Sequence, residues 1–270
     1  MLTLREVTKT FKADAGNTVL ALDHVCLEIE AGSFVVVIGT NGSGKSTLLN
    51  AIAGSVLPDG GSIHLGGRNI THWPEHRRAR LISRVFQNPF SGTAPNLTVG
   101  ENLALASRRG QPRGLGWALG RRSGAELRHQ LASLGLGLED RFQTPIGLLS
   151  GGQRQAITLM MATLVRPELL LLDEHTAALD PKSAEQIIRL TRQVVQHHHL
   201  TTLMVTHSMQ QAVNVGDRLV MMYEGRTTID CCGTAKQRLQ VEELLHRFEE
   251  LRRRELLDES AAEMLRSAYV

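Results

Sequence analysis

The stretch Gly39-Thr40-Asn41-Gly42-Ser43-Gly44-Lys45-Ser46 constrains this chain more than any other. It satisfies the pattern G-x-x-x-x-G-K-[ST]. It stands between Phe34-Val35-Val36-Val37-Ile38 and a helix-like segment from Lys45 to Ala53. A run apolar on both faces suits a strand buried inside a parallel sheet. Strand, glycine-rich turn and helix in that order let successive backbone N–H groups and a helix N-terminus converge on an anion. Lys45 is then placed to bridge the β- and γ-phosphates of a nucleotide, and the Ser46 hydroxyl to ligate Mg²⁺.

The flanking sequence supports an α/β reading. Leu2 to Val7 alternates, and in the stretch Val19 to Ile29 the residues Val25, Leu27 and Ile29 share one face. Later, Leu169-Leu170-Leu171-Leu172 and Thr201 to Val205 are two more apolar strands, each preceded by a helical stretch, as a βαβ sheet requires. Between Asn88 and Gly147 no buried-strand run occurs. Thr98 to Ser107 and Gly124 to Leu134 read as helices, so this piece is expected to be a helical insertion. From Thr234 onward the chain is charged and helical, with Leu244, Leu245, Phe248 and Leu251 on one apolar face.

The strand Leu169–Leu172 ends in Asp173-Glu174. Ligands of an open parallel sheet bind beyond the carboxyl ends of its strands, beside the phosphate loop. Successive side chains diverge, so the two acids can take different roles. Asp173 is expected to hold Mg²⁺ through its water shell, and Glu174 to polarise the water that attacks the γ-phosphate. Composition narrows the classes further. Among 270 residues, 30 Lys and Arg oppose 27 Asp and Glu for a net +3, too balanced for a dedicated nucleic-acid binder. Aromatics at 4% argue against a base-stacking surface. No run approaches the length of a membrane span, the N-terminus lacks a secretory pattern, and Cys26, Cys231 and Cys232 fit a reducing compartment. A soluble cytosolic protein is expected.

Leu149-Ser150-Gly151-Gly152-Gln153 opens a helical stretch running to about Val165. Ser150 is a good N-cap, and the glycines leave N–H groups accessible at the positive helix end, which makes a second anion site. LSGGQ between a phosphate loop and an LLLLDE strand resembles ABC-type ATPases, over about 230 residues. The resemblance implies a P-loop NTPase core of RecA-like type, an antiparallel β subdomain and an inserted α-helical subdomain. It assigns residues 1–233 to the cassette, with the insertion at about 88–156, and 234–270 to a C-terminal helical extension.

The resemblance carries further roles. Gln87, in Arg84-Val85-Phe86-Gln87-Asn88, matches the glutamine that touches Mg²⁺ and the attacking water and hinges the insertion. Ala178-Leu179-Asp180 matches the loop that crosses to a second subunit, and His207 the histidine that contacts the γ-phosphate. Phe11 lies where the family stacks an aromatic on adenine; packing in the core is the other reading of that ring. Asn41, Gly42, Ser43, Gly44, Lys45, Ser46 and Thr47 are implied to contact ATP. A head-to-tail homodimer would hold two ATP molecules between phosphate loops and opposing LSGGQ helices.

Where the family usually continues Pro-Thr-Ser-Ala-Leu-Asp, this chain has His175-Thr176-Ala177-Ala178-Leu179-Asp180. The change frees φ and adds a titratable group, or is simply tolerated. Together with Val205 to Ala212 and Val241 to Leu245, this segment is similar to a bacterial branch that works with integral membrane permeases and amino-acid binding proteins. An ATP-hydrolysing subunit of an amino-acid importer follows, peripheral at the cytoplasmic face of the inner membrane and bound to no nucleic acid. An exporter or lipoprotein-release subunit, or a soluble ATPase acting on DNA or ribosomes, is the alternative. A single cassette and a heptad-free interval from Ser46 to Leu149 weigh against the last, and LSGGQ excludes a P-loop kinase. The remaining features read as structural: His197-His198-His199 ends a helix, Cys231-Cys232 lies in a turn, and Trp73 and Trp117 sit in loops. Arg108 to Arg122 contains five arginines and no acid, so the basic excess sits in the insertion, where it would face a permease or simply be solvated.

Overall fold

In this computed structural model the residues described are 1–12, 17–110 and 121–250, the last from residue 124 for side chains. Along the chain the elements are β1 (Leu2–Lys12), β2 (Thr18–Ile29), β3 (Phe34–Gly39), α1 (Lys45–Ala53), β4 (Gly60–Leu65), β5 (Arg68–Asn69), α2 (Glu75–Arg78) and β6 (Ile82–Val85). There follow α3 (Val99–Ser107), α4 (Arg121–Ala132), α5 (Gly151–Leu164), β7 (Leu169–Asp173), α6 (Pro181–His198), β8 (Thr202–Val205), α7 (Met209–Asn214), β9 (Arg218–Tyr223), β10 (Arg226–Cys232) and α8 (Gly233–Arg238). A last helix, α9, covers 241–250.

Every residue of β3 is buried, and the period of two in a strand sends its side chains into two separate cores. Phe34, Val36 and Ile38 join Leu170, Leu172, Met204, Leu219 and Met221 beneath α3, α5 and α6. Val35 and Val37 join Leu169, Leu171, Leu203, Val205 and Val220 against α1 and a second, antiparallel sheet. Covering on both faces is why these strands carry no polar alternation. The large sheet runs β10-β9-β3-β8-β7-β6, and the small one β2-β1-β4-β5. In the large sheet β9, β3, β8, β7 and β6 are parallel, and β10 closes one edge antiparallel to β9. Register sets Val37 and Asp173 each opposite Val205, and Val85 opposite Leu172. The carboxyl ends of β3, β8, β7 and β6 therefore finish on one edge.

The helices expected between Asn88 and Gly147 are present. Thr98 is the N-cap of α3, closing a capping box with Glu101, and the second helix runs as α4 over Arg121–Ala132. His197 and His198 end α6, with His199 as its left-handed C-cap. Three readings change. Cys231 and Cys232 are not in a turn: they are the last residues of β10, whose exposed and half-buried residues alternate because the strand lies at a sheet edge. The apolar face after Thr234 is divided, since Leu244 and Phe248 pack against the core while Leu245 is exposed. Strands β6 and β9 add to the two later strands read from the sequence. Trp73 lies in a turn, whereas Trp117, Leu251 and the middle of the arginine-rich piece lie outside the described residues. Among the described residues no helix is long and apolar enough to cross a membrane.

Candidate functional site

Beyond β3 the chain turns through Thr40 to Gly44 and enters α1, with Gly44 as N-cap at φ +96°. A Cβ at Gly44 would collide with the Ala21 carbonyl, and one at Gly39 with the Met222 carbonyl and the Ser43 hydroxyl. Glycine is therefore required here by a left-handed backbone and by close packing at once. The hairpin between β9 and β10 braces the loop, since Gly225 N–H donates to the Ser43 carbonyl at 3.1 Å. Lys45 is 4% exposed, and its ammonium donates to the carbonyls of Gly39 (2.9 Å) and Thr40 (2.7 Å). Burial lowers its pKa, while the carboxylates of Glu174 and Asp173 oppose that shift. The loop thus closes around a cation. Asn41, Gly42 and Ser46 are exposed at its rim, Thr47 half-buried and Ser43 buried.

The two carboxylates at the end of β7 go separate ways. Asp173 accepts from Arg84 of β6 at 2.6 Å, and the same guanidinium donates to Asn50 Oδ1 on α1 at 2.7 Å. Arg84 therefore ties β6 and β7 to the phosphate-loop helix. Glu174 takes a left-handed φ of +44°, a conformation that costs about 1–3 kcal/mol for a residue with a Cβ. Its N–H donates to the Val205 carbonyl at 3.0 Å, and its Oε1 lies 2.5 Å from His207 Nε2. The Glu174 side chain is 11% exposed and that of His207 45%, so the pair is open from the histidine side.

Gln87 follows β6 on the same edge and is exposed. Ser46, Asp173 and Gln87 offer only oxygen donors, the set a hard cation such as Mg²⁺ takes. Among the described residues no group of three or more His, Cys, Asp or Glu could hold a metal. One carboxylate and one hydroxyl, with phosphate and water completing the shell, is the arrangement expected for Mg²⁺ on a nucleotide.

Ser150 caps α5 in a capping box: its hydroxyl accepts from Gln153 N–H and Gln153 Oε1 accepts from Ser150 N–H, both at 3.2 Å. Ser150 and Gly151 are exposed, and Gly152 and Gln153 half-buried. This helix start lies beside α6, because a Cβ at Gly152 would press on Ser183 at 3.0 Å. A cleft of about 400 Å³ opens there, lined by Ser150, Gly152, Gln153, Ser183 and Gln186. Asp180, exposed, is the N-cap of α6, and its hydrogen bonds with Ser183 hold its carboxyl below the usual range. Phe11 is 40% exposed near the end of β1, which places its ring outside the core.

Several structural partners of these residues had no signature in the sequence. Arg84 is one. Gln155, wholly buried on α5, donates to the Phe86 carbonyl just before Gln87 at 3.4 Å. Arg154, also on α5, donates to the carbonyls of Ile146, Gly147 and Leu149 and covers the Phe90 ring at 3.6 Å. Each pairs residues far apart or buried, so only their polarity within apolar surroundings could have drawn notice.

Comparison with known proteins gives the family. Residues 22–177 match the ABC transporter family. The chain is 43% identical over 249 residues to a tyrosine transport ATP-binding protein of Clostridioides difficile, covering 92% of this chain and 99% of that one. It is 39% identical over 212 residues to a sulfate/thiosulfate import ATP-binding protein of Mycobacterium bovis, covering 77% of this chain and 56% of that one. A solved ATP-binding cassette, dimeric in a post-hydrolysis state with ADP and Pi, superimposes with a TM-score of 0.73 at 30% identity, covering 86% of this chain and 98% of that one. The chain belongs to the ABC transporter family, as one of its ATP-binding, ATP-hydrolysing subunits.

Proposed function

We propose that this subunit energises a bacterial importer of an amino acid, as a head-to-tail homodimer docked on an integral membrane permease that a solute-binding protein serves. The observation that carries this reading is the near end-to-end similarity to a tyrosine transport ATP-binding protein, at 43% identity. Its place is then peripheral, at the cytoplasmic face of the plasma membrane. Residues 1–233 act as the cassette, with the helical insertion at about 88–156, and 234–270 as an extension.

The site supplies roles to match. Asn41 to Thr47 wrap the phosphates with backbone N–H groups, and Lys45 exchanges its loop carbonyls for phosphate oxygens. Ser46, Asp173 and Gln87 are the residues that would hold Mg²⁺, which when bound neutralises phosphate charge. Glu174 accepts the proton of the attacking water, and His207 orients that carboxylate and faces the γ-phosphate. Ser150, Gly151, Gly152 and Gln153 present the positive end of α5 to the nucleotide of the second subunit, near Asp180. Phe11 stacks on adenine. The deciding experiment is identification of what copurifies with the tagged chain from membrane extracts. A permease and a periplasmic binding protein that captures an amino acid are expected; ribosomes or DNA would overturn the reading.

A further inference from the structure

The loops that carry Glu174 and His207 leave the adjacent parallel strands β7 and β8. Their last backbone link is the bond from Glu174 N–H to the Val205 carbonyl, at 3.0 Å. Among the described residues, two connections join the loops beyond that point. One is the Glu174–His207 contact itself. The other runs through Gln211 of α7, which belongs neither to the phosphate loop nor to the pair of acids at the end of β7. Its Oε1 accepts from the Thr206 hydroxyl at 2.8 Å, and its Nε2 donates to the Thr176 hydroxyl at 3.1 Å. Thr206 immediately precedes His207, and Thr176 lies two residues after Glu174.

We propose that Gln211 is a positioning residue that clamps the two loops so that His207 and Glu174 meet.

Thr206 Oγ1 also accepts from Ser208 N–H at 3.1 Å, while its own proton goes to Gln211 Oε1. That leaves the amide nitrogen facing Thr176. Both threonines are buried, at 4% and 7% exposure, so losing the amide would strand hydroxyls away from water. Gln211 is held in turn, because its N–H donates to the Ser208 hydroxyl that caps α7, at 3.2 Å. An acceptor and a donor fill this position, and so do two acceptors facing two hydroxyls. A carboxylate meets the second condition, since the Thr176 hydroxyl can turn and donate.

The inference rests on the roles proposed for Glu174 and His207, so the test separates the two. In the purified full chain, Gln211→Met is expected to lower kcat on the order of 10-fold while KM for ATP stays within about two-fold, since misplacing a catalytic pair leaves phosphate binding intact. Gln211→Glu is expected to restore most of the rate. In a His207→Ala background, Gln211→Met is expected to add no further loss, because both changes act on one contact. The ring ¹⁵N signals of His207, assigned by their absence in His207→Ala, should move in Gln211→Met and return towards wild type in Gln211→Glu. Thr176→Val, a milder change, should move them in the same direction should Gln211→Met not fold. Wild-type ring signals in the folded Met variant, or losses that add in the double variant, would overturn the clamp. Wild-type turnover in Glu174→Gln and His207→Ala would instead remove the catalytic roles, and the ring signals would still decide whether Gln211 sets the contact.

Discussion

Nε2 of His207 lies 2.5 Å from Oε1 of Glu174, so the groups at the ends of β8 and β7 meet directly rather than through a shared ligand. The relationship follows from the register: Asp173 stands opposite Val205, so the next residues of both strands leave the sheet at one level. The left-handed φ of Glu174 then turns its carboxylate away from Asp173, which is held by Arg84. The two acids at this strand end thus take different partners, Asp173 the guanidinium of Arg84 and Glu174 the imidazole of His207.

Glu174→Gln should keep the phosphate loop and its affinity for ATP but lose turnover by about 10² or more, the scale of a lost general base. With hydrolysis blocked, the ATP-bound dimer should accumulate in size-exclusion chromatography. Turnover near wild type would remove Glu174 as the base.

Ser150→Arg should abolish hydrolysis while leaving ATP binding by the dilute monomer unchanged, because Ser150 is exposed and beside α6 rather than part of the phosphate loop. Losing the capping bond to Gln153 should destabilise α5 by only about 1 kcal/mol, so the arginine acts chiefly by blocking the helix end. Equilibrium titration with a fluorescent nucleotide distinguishes the two sites: loss of monomer binding would contradict a site offered to a second subunit.

The sequence made the phosphate loop, β3, β7 and the capped start of α5 legible because each rests on local rules: a buried run apolar on both faces, glycines at forced turns, a serine at a helix start. Strand β6 escaped because Ser83 and Arg84 break its apolar run. Their partners, the Ala162 carbonyl and Asp173, lie far along the chain, and only folding shows that these polar groups are satisfied. The same holds for Gln211, which looks like any surface glutamine of a short helix until Thr176 and Thr206 are brought around it. Cys231 and Cys232 read as a turn because an edge strand has one partner and needs no apolar pattern.

Arg78 gives a prediction about the scaffold. It is wholly buried and donates to the carbonyls of Ala51 (2.6 Å) and Ile52 (2.9 Å) in the last turn of α1, and to those of Thr71 and Trp73. Burial pushes its pKa down to about 10, which leaves it a cation at neutral pH, at the end of the helix where a positive charge is favourable. Arg78→Met strands four carbonyls and should destabilise the chain by about 4 kcal/mol or more, at about 1–3 kcal/mol for each group left without a partner or water. Arg78→Lys, whose single ammonium cannot span all four, should fall between. Urea denaturation with an unchanged m-value checks both, and a loss under about 1 kcal/mol for the Met variant would mean that water replaces the guanidinium.

His175 makes stability depend on pH in a window that can be named. The ring is 1% exposed, and its Nε2 lies 3.1 Å from Thr191 Oγ1. The Thr191 hydroxyl already donates to the Ile187 carbonyl at 2.8 Å, so it accepts from Nε2–H. Nδ1 is then the bare nitrogen, buried with no partner, and a proton added there would create a cation without an acceptor. Burial accordingly pushes the pKa from 6.5 down to about 4. Below pH 6.5 the unfolded chain takes up this proton and the folded chain does not, so stability present above 6.5 is lost as pH falls, until about 4. The drop should be on the order of 3 kcal/mol for this group. His175→Leu fills the site, leaves Thr191 its bond to Ile187, and should flatten the stability profile across that window. Unfolding free energies measured for both chains at a series of pH values decide the matter, since parallel profiles would place the pH dependence elsewhere than the buried imidazole.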